Sequence, residues 1–318
     1  MRVAVWGLGK HAINNILPAL EKVSGLSLFG VYTRDEKIKD QCVTSFNCKT
    51  WKSQNEMLED DDVDIIYLST PPALHYKSGI EILSSGKHFW CEKPFTTSLK
   101  HTEQLIEISR KNNLSIAEGL MYIHHPQYKM LKQEVEKYKP YEIKRINSTF
   151  TLPHSEAPSF RHNLDLGAST LLDIGAYPLS IVIKLLEQDS FNILLKKLYV
   201  DEYSKVDMSG FVIIEFNSGT ICNLFWGMGF GHKNEIDILT TKGAYYCDKI
   251  FSKKEDYIPN IMVRNNFGEI SNIKTTAHNH FISMFKHFKK LAIDVDKAEI
   301  EREEILKLAK VIDLIKSH

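Results

Sequence analysis

The chain has 318 residues, room for two domains, with 43% hydrophobic and 25% charged residues, the balance of a globular protein. Lys+Arg and Asp+Glu both number 40, and the resulting zero formal charge gives no support to nucleic acid as a bulk electrostatic partner. No apolar run approaches the length of a membrane span, and Cys42, Cys48, Cys91, Cys222 and Cys247 show no zinc spacing, so reduced thiols in a cytoplasmic protein are expected.

Arg2-Val3-Ala4-Val5-Trp6 has the pattern of a short buried strand, too strand-like for a signal peptide. It runs into Gly7-Leu8-Gly9-Lys10-His11-Ala12, after which Ile13, Ile16, Leu17 and Leu20 recur at helical spacing. Strand, glycine turn and helix is the context in which G-x-G-x-x-A points to a dinucleotide. Gly7 permits the tight turn, Gly9 lets backbone approach a pyrophosphate, and Ala12 lets the helix pack on the strand. Lys10 and His11 lie in the same loop, where free N–H groups at the helix start suit phosphate. The bland alternative is a βα turn without a ligand.

A second strand, 26–32, ends in Thr33-Arg34, with Asp35 only afterwards. An acid at this point suits the ribose hydroxyls of NAD, whereas a guanidinium can fork onto the 2′-phosphate of NADP. NADP is therefore favoured over NAD; otherwise Arg34 stacks on the adenine or is solvated. A third strand, 64–70, leads through Thr70-Pro71-Pro72 to His75, and helical spacing follows to Gly86. Lys87 to Cys91 is a further strand with Glu92-Lys93-Pro94 as its end loop, then a helix over 99–112 and a strand over 114–117. Such βα alternation with wholly apolar strands predicts a parallel doubly wound sheet. Ligands bind beyond the carboxyl ends of those strands, which puts Gly7, Gly9, Thr33, Thr70 and Lys93 on one edge.

Beyond residue 140 the pattern changes to a strand over 143–152, a helix over 171–186, and mainly strands from 195 to 273, with Asn217-Ser218-Gly219 as a hairpin turn. Helices are expected at 277–292 and 297–316. The fold class is thus α/β, a doubly wound domain over 1–122 followed by an α+β domain over 123–318 on a largely antiparallel open sheet. The last helix could pack back on the first domain. An open sheet needs cover, and a homo-oligomer formed through it is one solution.

Asp173 and Tyr177 are four apart and share a face if helical. Pro178 lacks an N–H, so regular helix should start only near Gly175. On spacing alone a tyrosine in an apolar helix, such as Tyr177, is more often a core residue with a bonded hydroxyl than a catalytic one. His124-His125 has no carboxylate or cysteine partner cluster, so no metal is expected.

The order of Gly7-x-Gly9-x-x-Ala12, Glu92-Lys93-Pro94 and the Asp173–Tyr177 segment resembles the Gfo/Idh/MocA oxidoreductases. Ser69-Thr70-Pro71-Pro72-Ala73-Leu74-His75, Gly86-Lys87-His88 and Thr241-Lys242-Gly243-Ala244 extend the resemblance over the whole chain. It implies a Rossmann domain, a mixed-sheet second domain and a substrate between them. It also implies that Lys93 lies by the nicotinamide and that Tyr177 exchanges a proton with the substrate oxygen. Tyrosine at that position marks a subset resembling dihydrodiol dehydrogenases, glucose–fructose oxidoreductases and sugar-nucleotide ketoreductases.

Within that subset the run from Glu118 through Tyr122, His124 and His125 to Gln127, and the run from Phe160-Arg161 to Pro178, are similar to nucleotide-linked 3-ketohexose reductases. Ala168-Ser169-Thr170 departs from the more glycine-rich pattern of the family. The resemblance implies reduction of a sugar ketone, with a carbohydrate or sugar-nucleotide as partner. Tyr177 is the expected acid and Lys93 the cation beside the developing oxyanion. Asp173 would orient Lys93 or a sugar hydroxyl. Tyr122, His124 and Arg161 are candidate substrate contacts; Pro71, His75 and Glu92 are candidate cofactor contacts. The competing readings are a dehydrogenase of a free sugar, cyclitol or dihydrodiol, an NAD-dependent glycosidase, and a non-enzymatic cofactor-binding regulator.

Overall fold

The computed structural model describes residues 1–154 and 160–317. The chain forms two compact units, Met1–Leu120 with Phe281–Ala309, and Met121–His280 with the stretch from Lys310. The first is discontinuous in sequence.

The first unit contains strands β1 (Arg2–Trp6), β2 (Ser27–Tyr32), β3 (Lys49–Thr50), β4 (Ile65–Leu68), β5 (His88–Cys91) and β6 (Ile116–Glu118). They form one sheet in the order β3-β2-β1-β4-β5-β6, every pairing parallel. Val3, Ala4, Val5, Ile65, Ile66, Leu68 and Phe89 are fully buried, as strands covered on both faces require. Helices α1 (Leu17–Glu21), α2 (Glu36–Phe46), α3 (Gln54–Leu58), α4 (His75–Ser84) and α5 (Leu99–Lys111) alternate with them. Residues 12–16, ahead of α1, are wound as a π-helix. Side chains start three of these helices: Asp35, Ser53 and Ser98 accept from the N–H groups of Ile38, Glu56 and His101. Helix α8 (His280–Leu291) supplies Phe285 and Phe288, which meet Tyr67 and Trp90 edge-on or tilted. Arg302, on α9 (Val295–Lys316), is buried and donates to Ser109 Oγ and the Leu114 carbonyl.

The second unit is built on an eight-stranded sheet of β7 (Ile143–Leu152), β8 (Phe191–Val200), β9 (Asp207–Phe216), β10 (Ile221–Met228), β11 (Lys233–Thr240), β12 (Gly243–Asp248), β13 (Asn260–Asn265) and β14 (Ile270–Lys274). The order is β14-β13-β12-β11-β7-β10-β9-β8, and β7–β10 is the one parallel pair among these strands. Alternation sets its faces: Val212, Ile214, Phe216, Leu224, Trp226, Ile236 and Ile238 are buried, while Phe211, Ile213, Ile221 and Phe225 on the other face are only partly so. Helix α7 (Ala176–Leu186) packs on β7 and β10, and α6 (Pro126–Val135) on β13.

The mixed α/β architecture is the expected one. The expectation of no membrane-length apolar run needs correction: 164–186 is long and apolar enough, but most of it is buried inside the protein. It is the core helix that the eight-stranded sheet covers. Helices α2, α3 and α6 and strands β3 and β14 were not foreseen.

Candidate active site

Gly7 has φ +97°, and a Cβ there would lie 2.6 Å from the Ser69 carbonyl oxygen, so the turn admits only glycine without strain. Its N–H donates to the Tyr32 carbonyl at 2.9 Å, which fastens the loop to the end of β2. At Gly9 a Cβ would meet nothing within 4 Å. The chain's own packing does not demand glycine there, as expected where backbone is to be approached by a ligand. Ala12 is fully buried. Thr70, at the end of β4, has a buried hydroxyl oxygen with no hydrogen-bond partner among the described residues. Open space at Gly9 and an orphaned hydroxyl at Thr70 both fit a dinucleotide.

At the end of β2, Arg34 is exposed. Asp35 caps α2 through the Ile38 N–H at 3.2 Å, and its own N–H donates to Thr33 Oγ1 at 3.3 Å. The acid that could have read a ribose is thus turned to the helix, and Arg34 is left facing outward.

Beyond β5, Glu92 gathers a network. The Tyr67 hydroxyl donates to its Oε1 at 2.6 Å, and His11 Nε2 lies 3.0 Å from the same oxygen. His11 Nδ1 faces the Asn15 amide at 3.2 Å, so a ring donating from Nε2 satisfies both neighbours. Burial pushes the Glu92 pKa up, but His11, the Tyr67 hydroxyl and the charge of Lys93 outweigh it and hold the carboxyl below its ordinary value. The glycine loop is thereby tied to the residue preceding Lys93. Lys93 is half-buried. The next residues are held from two sides: His75 Nδ1 faces the Pro94 carbonyl at 2.8 Å, and Glu118 accepts from the Phe95 N–H at 2.8 Å. His75, expected as a cofactor contact, is fully buried, and its Nε2 lies 2.9 Å from the Thr70 carbonyl. Pro71 is partly exposed beside Thr70, and Lys10 is exposed.

In the second unit, residues 171–175 are π-wound and regular helix begins at Ala176, the late start that Pro178 required. Asp207 of β9 begins this segment, accepting from the Leu171 N–H at 2.7 Å and the Thr170 hydroxyl at 3.0 Å. Ser169 Oγ accepts from the Leu172 N–H at 3.2 Å. The residues departing from the family's glycine-rich pattern therefore cap the helix that carries Asp173 and Tyr177. A Cβ on Gly175 would lie 2.9 Å from the Trp226 ring, so glycine lets this helix seat on the sheet.

Arg161 Nε and Asp173 Oδ2 are 2.5 Å apart, an ion pair with Asp173 buried. Burial works against the Arg161 charge, yet Asp173 and nearby Tyr177 hold its pKa above the ordinary value. Tyr177 is 6% exposed, and its hydroxyl donates to Met121 Sδ at 3.4 Å. Its ring lies among Phe150, Phe251 and Tyr122 at centroid distances of 5.1, 5.5 and 5.9 Å. The second unit thus brings Arg161 onto Asp173, with Tyr177 nearby. Tyr122, expected to touch substrate, is fully buried; its hydroxyl bonds Ser180 Oγ at 2.8 Å, and Ser180 in turn donates to the Tyr177 carbonyl. It supports Tyr177 from behind. His124 is buried beside it in sequence. His125 caps α6 through the Gln127 N–H, and burial, with Lys253 and His278 nearby, pushes its pKa down to about 3. Glu118, Met121, Ser180 and Asp207 were not singled out beforehand; a lone acid ending the apolar strand Ile116–Glu118 was the one signal available.

Two family models match the chain, one for an oxidoreductase family with an NAD-binding Rossmann fold over residues 1–120, the other for the GFO/IDH/MocA C-terminal domain over residues 128–246. The chain belongs to the Gfo/Idh/MocA oxidoreductase family. Among its Gfo/Idh/MocA relatives, a dTDP-3,4-didehydro-2,6-dideoxy-alpha-D-glucose 3-reductase from Actinomadura kijaniata is 25% identical over 317 residues, covering 100% of this chain and 95% of that one. An enzyme of the same name from Saccharopolyspora spinosa is 25% identical over 257 residues, 81% of this chain and 77% of its own. In fold, the crystal structure of KijD10, a 3-ketoreductase from Actinomadura kijaniata in complex with NADP and TDP-benzene, superposes with a TM-score of 0.93 at 24% identity, covering 99% of this chain and 97% of that one.

Proposed function

We propose that this Gfo/Idh/MocA protein is an NADP-dependent ketoreductase that reduces a nucleotide-linked 3-keto-deoxyhexose. The observation that carries this reading is the likeness to a dTDP-keto-sugar 3-reductase along the whole chain. Bound NADPH supplies the hydride for the ketone carbon. Tyr177 donates the proton to the ketone oxygen; its bond to the Met121 thioether is weak and readily exchanged for one to substrate. Lys93 sets a positive charge beside the oxygen as negative charge grows on it. Gly7, Gly9, Ala12 and Thr70 would hold the dinucleotide, and Arg34 would favour the 2′-phosphate of NADP. Arg161 fixes the carboxylate of Asp173, which leaves a set lone pair for a sugar hydroxyl.

Assaying NADPH consumption with a dTDP-linked 3-keto-deoxyhexose, the matching free sugar and a cyclitol tests the reading. Turnover with the nucleotide-linked ketone should exceed the others. Equal or greater turnover with a free sugar or cyclitol would reject the nucleotide-linked substrate. Arg34→Glu should weaken NADPH binding about tenfold to a hundredfold, the loss of a charge-assisted fork, and leave NADH binding unchanged or stronger. Unaltered NADPH affinity by fluorescence titration would remove Arg34 from the cofactor site.

Self-association through the sheet face bearing Phe211, Ile213, Ile221 and Phe225 belongs to the same proposal, since these apolar side chains remain partly exposed. A reducing, cytoplasmic setting suits the five free, buried cysteines.

A further inference from the structure

We infer that His75 is a positioning residue for Lys93, tying the cofactor end of β4 to the backbone immediately after the lysine. The inference rests on the reading of Lys93 given above. His75 opens α4 and is fully buried. Its two ring nitrogens face two carbonyl oxygens from different strand ends, Pro94 at 2.8 Å and Thr70 at 2.9 Å. Both oxygens can only accept. A neutral imidazole has one N–H and can donate to one of them; donation to both takes the second proton. Burial outweighs the backbone acceptors at Thr70, Pro94 and Phe95 and the Glu92 carboxylate and holds the His75 pKa below its ordinary value, so the ring is neutral and donates to one carbonyl while it packs against the other. Those groups and the charge of Lys93, which acts on Glu92, are the ones that face this network from the strand ends.

The ring has no exposed surface for a nucleotide, so its effect on cofactor and chemistry passes through what it holds. On one side that is Thr70, whose hydroxyl is orphaned. On the other it is the Lys93-Pro94-Phe95 turn, which Glu118 grips from β6 through the Phe95 N–H. Lys93 carries a long, flexible side chain, and a misplacement of its root by an ångström is enough to spoil charge stabilisation.

A double-mutant cycle separates this role from simple support of the fold. His75→Gln keeps one amide donor; His75→Phe keeps the ring volume and no donor. Each should lower kcat about tenfold or more, His75→Phe the further, with the KM for NADPH moving less than about threefold. In a Lys93→Met background, followed in single turnover, the same changes should lower the residual rate by less than about twofold, because the group they position is gone. The melting temperature of each variant reports folding, and the two replacements guard against one that fails to fold. An equal fall in both backgrounds, an effect confined to the KM for NADPH, or unchanged kcat would overturn the inference. Near-normal turnover of Lys93→Met by itself would overturn the assignment of Lys93 and is read separately.

Discussion

Replacing Lys93 with alanine should lower kcat by about 10²–10³-fold, the loss expected when one preorganised charge is taken from a developing oxyanion. NADPH affinity and melting temperature should move little. The backbone around the residue does not depend on its side chain: the preceding Glu92 is held by Tyr67 and His11, and the following Pro94 and Phe95 by His75 and Glu118. Removing the ammonium also removes one of the charges that keep the Glu92 carboxyl ionised, so the Glu92 pKa should rise. Lys93→Arg should recover little, because a planar guanidinium cannot take the place of a compact point charge on a shorter reach. Turnover within about twofold of the parent would place the oxyanion-stabilising charge elsewhere.

Tyr177→Phe should cost about 10²–10⁴-fold in turnover, the range for a general acid, and leave stability nearly unchanged. The ring's neighbours Phe150, Phe251 and Tyr122 are aromatic and indifferent to the hydroxyl. The hydroxyl donates to the Met121 thioether, a weak acceptor. A rate fall together with an unshifted unfolding curve and unshifted substrate KM is therefore the expected signature of the lost proton donor. A variant of undiminished kcat would exclude Tyr177 as the acid; one with reduced stability and kcat in proportion would make it a core residue.

Much of the first sheet was legible because its strands are continuous apolar runs and its chemistry sits at their ends. Gly7 could be assigned from spacing because its positive φ and the nearby Ser69 carbonyl require glycine locally, whereas at Gly9 only the motif spacing marked it. Helix α2 was missed because it buries little more than Lys39 and Cys42 and shows no apolar stripe. Strand β14 is almost wholly exposed, so nothing in its residues marks a pleat. The surroundings of Tyr122 and His75 were not legible for another reason. Each is a polar side chain within a motif, and only the folded chain shows that Ser180 takes the tyrosine hydroxyl and that two carbonyls face the imidazole. Spacing could pair Asp173 with Tyr177, but not Arg161 with Asp173 across an irregular segment.

The discontinuity of the first unit has a consequence for how the protein is made. A ribosome releases residues 1–120 early, yet the segment from Phe281 that completes this unit emerges only after another 160 residues, roughly 10–30 s later at ordinary rates of synthesis. Over that interval the rings of Tyr67 and Trp90 wait without Phe285 and Phe288, and Ser109 and Leu114 without Arg302. The nascent first unit is thus born with an apolar flank that only residues from Phe281 onward cover, and the strands of the second unit are translated before the first unit is complete.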